Sequence, residues 1–270
     1  MIIMEIYEKN KYIAPYDWLI NKRIQEWDLR KANISILRSL NILSEEDYIR
    51  YLNMPKMQRE IEMGNLRKDP IIENEYKRGL VNTKRLFFEL NDIKEENILY
   101  IDHDSITVVY DLYDTKQIQG NISPYLEFRL KNTYTSFYKL FNMDFLYFNI
   151  SSHESFRFKG VDEYKLREIH KKYFIDLLLS IAYSAQHDKI ENTIDMIQNV
   201  YYSYSNKEMD LNYYREFTTE GKFKLFTTSY YIYYSNIVEE KDRPFIDISY
   251  NSSILRLFYK IMMTEYFKRN

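Results

Sequence analysis

The stretch NILYIDHDSITVVYD, Asn97 to Asp111, decides how this chain folds. Two strand-forming runs, one ending at Ile101 and one starting at Ile106, flank Asp102 and Asp104. Their β-branched and aromatic residues predict two paired strands, and the short polar centre predicts the turn between them. Acidic groups at the crest of an apolar hairpin are either an ordinary exposed turn or carboxylates placed to hold a metal ion.

Upstream, residues 71–91, IIENEYKRGLVNTKRLFFELN, predict a helix. Ile72, Tyr76, Leu80 and Phe87 fall near one face, and Pro70 stands just ahead. Residues 44–70 read as a polar excursion punctuated by Pro55, Gly64 and Pro70, with Ser44 and Asp47 spaced as a helix N-terminus. Earlier still, IQEWDLRKANISILRSLNIL begins strand-like and turns helical, since Ile34, Leu37 and Leu40 recur at three-residue steps. Asp28 stands at that junction, where a helix-start acid would also be favoured by the macrodipole. Downstream, YLEFRL and TSFYKLFNMDFLYFNI read as strands, whereas 162–185, 189–204 and 252–268 read as helices. GKFKLFTTSYYIYY fits either type. The expected class is therefore α+β. An antiparallel sheet with packed helices occupies 1–160, and a mostly helical lobe occupies 161–270, with the boundary near Gly160.

Bulk chemistry narrows the function. The 270 residues are 45% apolar, enough for a large core, and contain no cysteine, which excludes disulfides, thiolate nucleophiles and cysteine zinc sites. No two of the four histidines share a zinc-like spacing, and His103 reads as a turn residue. With 5 glycines, no phosphate-binding loop of the G-x-x-x-x-G-K-[ST] or G-x-G-x-x-G kind is present. A net charge of −2 rules out a strongly basic nucleic-acid coat but leaves room for a local patch. Between residues 50 and 90 the basic side chains outnumber the acids, as phosphate contact or a solvated helix face would require. The longest apolar run, Phe174 to Tyr183, is broken by Asp176 and too short to span a bilayer, and MIIMEIYEKNKY, with its acid and no cleavage-like small-residue site, is not expected to act as a signal peptide. A soluble, cytoplasmic protein is expected. The 28 tyrosines, with clusters at 201–204, 213–214 and 230–234, reflect core packing or codon usage, or else surfaces for bases or for a second copy of the chain.

Two motifs resemble family B DNA polymerases. DLRKANISIL is similar to their motif A, D-x-x-S-L-Y-P-S-I, and YIDHDSI to their motif C, Y-x-D-T-D-S. The order of elements is also similar: motif A, a fingers excursion much reduced to 44–70, a palm helix, motif C, then a helical thumb. The resemblance implies a palm-like sheet and two-metal nucleotidyl transfer with Mg²⁺ or Mn²⁺. By position, Asp28 and Asp104 become the metal ligands, the backbone carbonyl of Leu29 completes the shell, and Asp102 is the outer carboxylate. Lys31, Lys56, Arg59, Arg67 and Lys68 become triphosphate contacts. Asn33 takes the place of the tyrosine that gates the sugar. Lys31, Ala32, Ile34 and His103 also depart from the family pattern, and its K-x-x-x-N-S-x-Y-G motif has no secure counterpart. Two readings follow. One is an enzyme acting on a nucleic-acid end with a nucleoside triphosphate; the other is a catalytically inactive, palm-derived module that binds nucleic acid or protein. Either suits a phage or mobile element, acting in the host cytoplasm without a membrane, as a homo-oligomer or with a protein partner.

Overall fold

The computed structural model describes residues 6–140, 145–148, 156–159, 168–186, 191–206, 208–209 and 248–267. Gly160, GKFKLFTTSYYIYY and the tyrosine clusters at 213–214 and 230–234 lie outside them. The chain forms two compact units, Met1–Tyr16 with Ile20–Ser136, and Asp17–Leu19 with Phe137–Asn270. The class is α+β.

The first unit is built on β1 (Lys11–Ile13), β2 (Trp18–Leu29), β3 (Ile98–Asp102), β4 (Ser105–Asp111) and β5 (Phe128–Lys139), in the order β1-β3-β4-β2-β5. The β1–β3, β3–β4 and β4–β2 pairs are antiparallel. β3 and β4 are the two arms of the expected hairpin, and Ile98, Ile101, Ile106 and Val108 are completely buried. β2 is one 12-residue strand that begins well ahead of the strand-like start of IQEWDL. Asn21 takes φ 54°, in the left-handed region, so its backbone departs from the strand geometry on either side.

Four helices belong to this unit: α1 (Ala32–Ser39), α2 (Glu45–Asn53), α3 (Lys56–Leu66) and α4 (Pro70–Leu90). Each start has a local cause. The Ser44 hydroxyl accepts from the Asp47 N–H and caps α2. Asp69 caps α4 by accepting from Ile71 N–H at 2.8 Å, and Pro70 takes the first helical position, where its missing N–H costs nothing. α4 buries Tyr76, Leu80, Phe87 and Phe88, and Gly79 lets it approach Ile36 and Leu40 closely. One core joins these residues to Trp27, Leu29, Ile101, Ile106 and Val108 of the sheet. Burial of this apolar area is the main favourable term, at roughly 25 cal/mol per Å².

The second unit contains the antiparallel pair β6 (Phe145–Phe148) and β7 (Phe156–Lys159), with α5 (Glu168–Gln186), α6 (Glu191–Ser205) and α7 (Ile248–Phe267). Its core includes Phe174, Leu178, Ile181, Ile197, Phe258 and Ile261. Tyr204, from one of the tyrosine clusters, is buried in that core beside His170, whereas Tyr202 is half exposed. The Tyr138 hydroxyl donates to Glu265 at 2.6 Å, which satisfies two buried polar groups at once. No described helix is long and apolar enough to cross a membrane.

The segment after β4 is fastened by Asn91, just past α4. Its side chain donates to Gln119 O and accepts from Gln119 N–H. The next residue, Gly120, accepts from Phe128 N–H at 2.8 Å, and a Cβ there would run into the Phe128 carbonyl oxygen. Gly120→Ala is therefore expected to cost about 1–3 kcal/mol. Thermal unfolding checks this: the midpoint should fall by several degrees, and an unchanged midpoint would refute the close approach.

Candidate functional site

The register of the sheet fixes where the acids stand. Lys11, Asp102, Ser105 and Asp28 form one row across β1, β3, β4 and β2. Directly paired residues project from the same face, and strands lie about 4.8 Å apart. Asp102 and Asp28 are thus separated by the width of two strands, about 10 Å, with the buried Ser105 between them. Asp104 occupies the turn itself. There the Leu29 N–H donates to the Asp104 carbonyl at 3.0 Å, so the end of β2 is fastened directly to the crest of the hairpin. On the other side of the turn, His103 takes φ 55° and its N–H donates to Asn10 O at 2.7 Å. His103 Nδ1 lies 3.0 Å from the Asp102 carboxylate, which pairs it with the outer acid.

A cavity of about 400 Å³ opens at this junction. It brings together Asp28, Leu29 and Asp104 with Lys31, Asn33, Lys56 and Arg59. Asp102 and Lys68 do not line it; Lys68 is exposed beyond the end of α3. Arg67 has a supporting role instead. It donates to Glu73 and to Asn33, both at 2.7 Å, and its guanidinium sits 3.7 Å from the centre of the Tyr76 ring. Much of the basic excess between 50 and 90 is likewise spent within the fold: Lys77, Arg78 and Arg85 pair with acids one turn away, and fully buried Lys84 donates to Lys9 O.

Local backbone explains the convergence. Lys31 takes φ 48° and ψ 47°, a left-handed residue that turns the chain from β2 into α1. Its Nζ donates to Leu52 O at 2.9 Å, and Ser35 Oγ donates to Arg30 O, so the turn is held from both sides. Arg30 N–H donates to Glu127 O, tying the same turn to the segment leading into β5. Lys56 and Arg59 face the cavity from the first turn of α3.

The electrostatics are those of charges held without full compensation. Burial first, and then the nearby Asp28 charge, push the Asp104 carboxyl above its ordinary pKa, while its backbone hydrogen bond and His103 oppose the shift. Burial lowers the Lys31 pKa, and Arg59, Arg30 and Arg129 lower it further. The Asp28 charge thus disfavours ionisation of Asp104, and the neighbouring cations disfavour protonation of Lys31. Among the described residues no three acidic or histidine side chains gather as a metal-binding group. The two carboxylates, with the Leu29 backbone beside them, could hold Mg²⁺, an ion that keeps water and substrate phosphates in its shell.

Two cavity residues escaped the sequence reading. Tyr76 has the spacing of a core residue and is indeed buried, yet it forms part of the cavity wall, and burial pushes its hydroxyl up to about 12. Glu60 is one acid on a mixed helix, and only its contact with Asn33, at 2.9 Å, distinguishes it. Neither had a sequence signal, because each depends on elements packed from elsewhere.

The raised Asp104 pKa sets the sign of a pH effect. A carboxyl whose folded pKa exceeds its unfolded value contributes stability below the unfolded pKa, near 3.8, and loses it as pH rises through the folded value. Asp104→Asn should therefore raise the unfolding midpoint at pH 7, with the gain shrinking as the pH is lowered toward 4. A lower midpoint for the variant at pH 7 would contradict the assignment.

No curated protein matches the chain. The model of the bacteriophage PBS1 gene 130 protein family matches residues 2–264, nearly the whole length, so the chain belongs to that family of phage proteins.

Proposed function

We propose that this phage protein is a reduced, palm-like nucleotidyltransferase, related to family B polymerases, that adds nucleotides to a nucleic-acid end in the host cytoplasm. The observation that supports it best is the cavity, where Asp28, Leu29 and Asp104 meet Lys31, Lys56 and Arg59 although β2, the hairpin and α3 are far apart in the chain. Asp28, Asp104 and the Leu29 carbonyl would hold Mg²⁺ or Mn²⁺, which when bound supplies Lewis acidity at phosphate oxygens. Asp102, outside the cavity, would act only as an outer charge.

The chain's own groups account for the remaining requirements. The 3′-oxygen of the acceptor end bonds to the α-phosphorus, the bond to the β-phosphate breaks, pyrophosphate leaves and the hydroxyl proton passes to solvent. Lys31, Lys56 and Arg59 meet the triphosphate charge. A bound polyanion would also offset the neighbouring cations that, after burial, lower the Lys31 pKa. Arg30 and Arg129, half exposed and close enough to influence Lys31, are placed to contact the phosphates of the acceptor strand. Lys68 would reach only the outer edge of such a ligand.

One observation favours the alternative, a catalytically inactive palm-derived module. Lys31 and Arg59 already donate to the carbonyls of Leu52 and Met54, at 2.9 and 3.4 Å, so two cations of the cavity serve the fold as well.

A primer-extension and terminal-addition assay with mixed nucleoside triphosphates and Mg²⁺ or Mn²⁺ separates the two. Addition should occur and fall by more than about 100-fold in Asp28→Asn and Asp104→Asn. No addition on any primer, with either ion, would leave the binding-module reading.

A further inference from the structure

Glu60 is the acid of the cavity that phosphate binding does not use. It lines the same cavity as Asp28 and Asp104, but the three do not form a metal-binding group. A carboxylate on the wall of a cavity for a polyanion is unfavourable unless the ligand also brings hydrogen-bond donors to it.

Glu60 is held in place by a chain of contacts. Asn33 Nδ2 donates to Glu60 Oε2 at 2.9 Å. Asn33 Oδ1 in turn accepts from Arg67 at 2.7 Å, and Arg67 is anchored by Glu73 and by the Tyr76 ring. Asn33 therefore has its amide committed on both ends and offers the ligand little of its own. The Arg59 guanidinium reaches Glu60 only at 3.8 Å, so acceptor capacity remains on the carboxylate. Tyr76 lines the same cavity and feels the charges of both Asp104 and Glu60.

We infer that the nucleotide bound in this cavity is a ribonucleotide, with Glu60 accepting hydrogen bonds from its ribose hydroxyls. This rests on the nucleotidyl-transfer reading and names its substrate class. A vicinal diol matches a carboxylate as two donors to two acceptor oxygens, the same chemistry by which an acidic side chain holds a ribose 2′-hydroxyl in dinucleotide sites. A deoxyribose has no 2′-hydroxyl to donate and leaves part of that capacity unmet, which is the condition under which a polar site discriminates.

Calorimetric titration of the full chain with ATP and with dATP, in Ca²⁺ to support binding without turnover, tests this. ATP should bind at least about 10-fold tighter than dATP. In Glu60→Ala the ratio should fall to about threefold or less, and Glu60→Gln, which keeps the shape and one acceptor oxygen, should lie between. Circular dichroism on both variants checks that they fold. Equal binding of ATP and dATP by the wild type overturns the ribose assignment and leaves nucleotidyl transfer standing. A ratio untouched in both variants overturns the role of Glu60. Absence of binding by either nucleotide overturns the assignment together with the reading beneath it.

Discussion

The Leu29 N–H bonded to the Asp104 carbonyl is the contact on which the site depends. It fastens the last residue of β2 to the turn of the β3–β4 hairpin, and so fixes which acids come together. Asp28 meets Ser105 directly, and Asp104 comes close enough to feel its charge. A slip of one residue between β2 and β4 would send every side chain of β2 to the opposite face. Trp27 and Leu29 would leave the core and Asp28 would enter it. The apolar face of β2 thus protects the register, and the register places the acid.

The site holds charge that the fold alone does not neutralise. Asp104 is buried near Asp28, and Lys31 is surrounded by three other cations. Uncompensated charge of this kind is costly in a small α+β unit, and it is what a cation and a polyanion bound side by side would relieve. The backbone at the same place is also unusual, since Lys31 and His103 both take left-handed conformations without being glycine. Such residues persist only where surrounding contacts determine them: Leu52 O accepts from Lys31 Nζ, and Asn10 O accepts from His103 N–H.

Much of this was legible in the residue pattern. The hairpin, the strand-to-helix junction at Asp28, the Ser44 cap and the helix opening at Pro70 each announce themselves within a few residues, because turn chemistry and capping are local. Asp102 and Asp104 are set apart in the sequence only by the motif resemblance, which makes Asp104 the inner acid and Asp102 the outer one; the residue pattern itself does not separate them. One position along the hairpin decides between a place in the sheet row beside His103 and a place on the cavity wall, and the pairing with β1 and β2 shows which is which. The early start of β2 at Trp18 has no clear alternation to announce it, because Asn21, Lys22 and Arg23 interrupt the pattern. Arg67 read as a phosphate ligand, and packing against Tyr76, Asn33 and Glu73 gives it a buttressing role instead. Glu60 and Tyr76 had no sequence signal, since their significance is wholly tertiary.

The most direct test is crystallographic. Crystals soaked in Mn²⁺ and measured at the manganese absorption edge should show an anomalous peak within about 2.2 Å of carboxylate oxygens from both Asp28 and Asp104. A structure with Mn²⁺ ordered elsewhere and none between these two side chains, at millimolar concentration and neutral pH, would contradict the account.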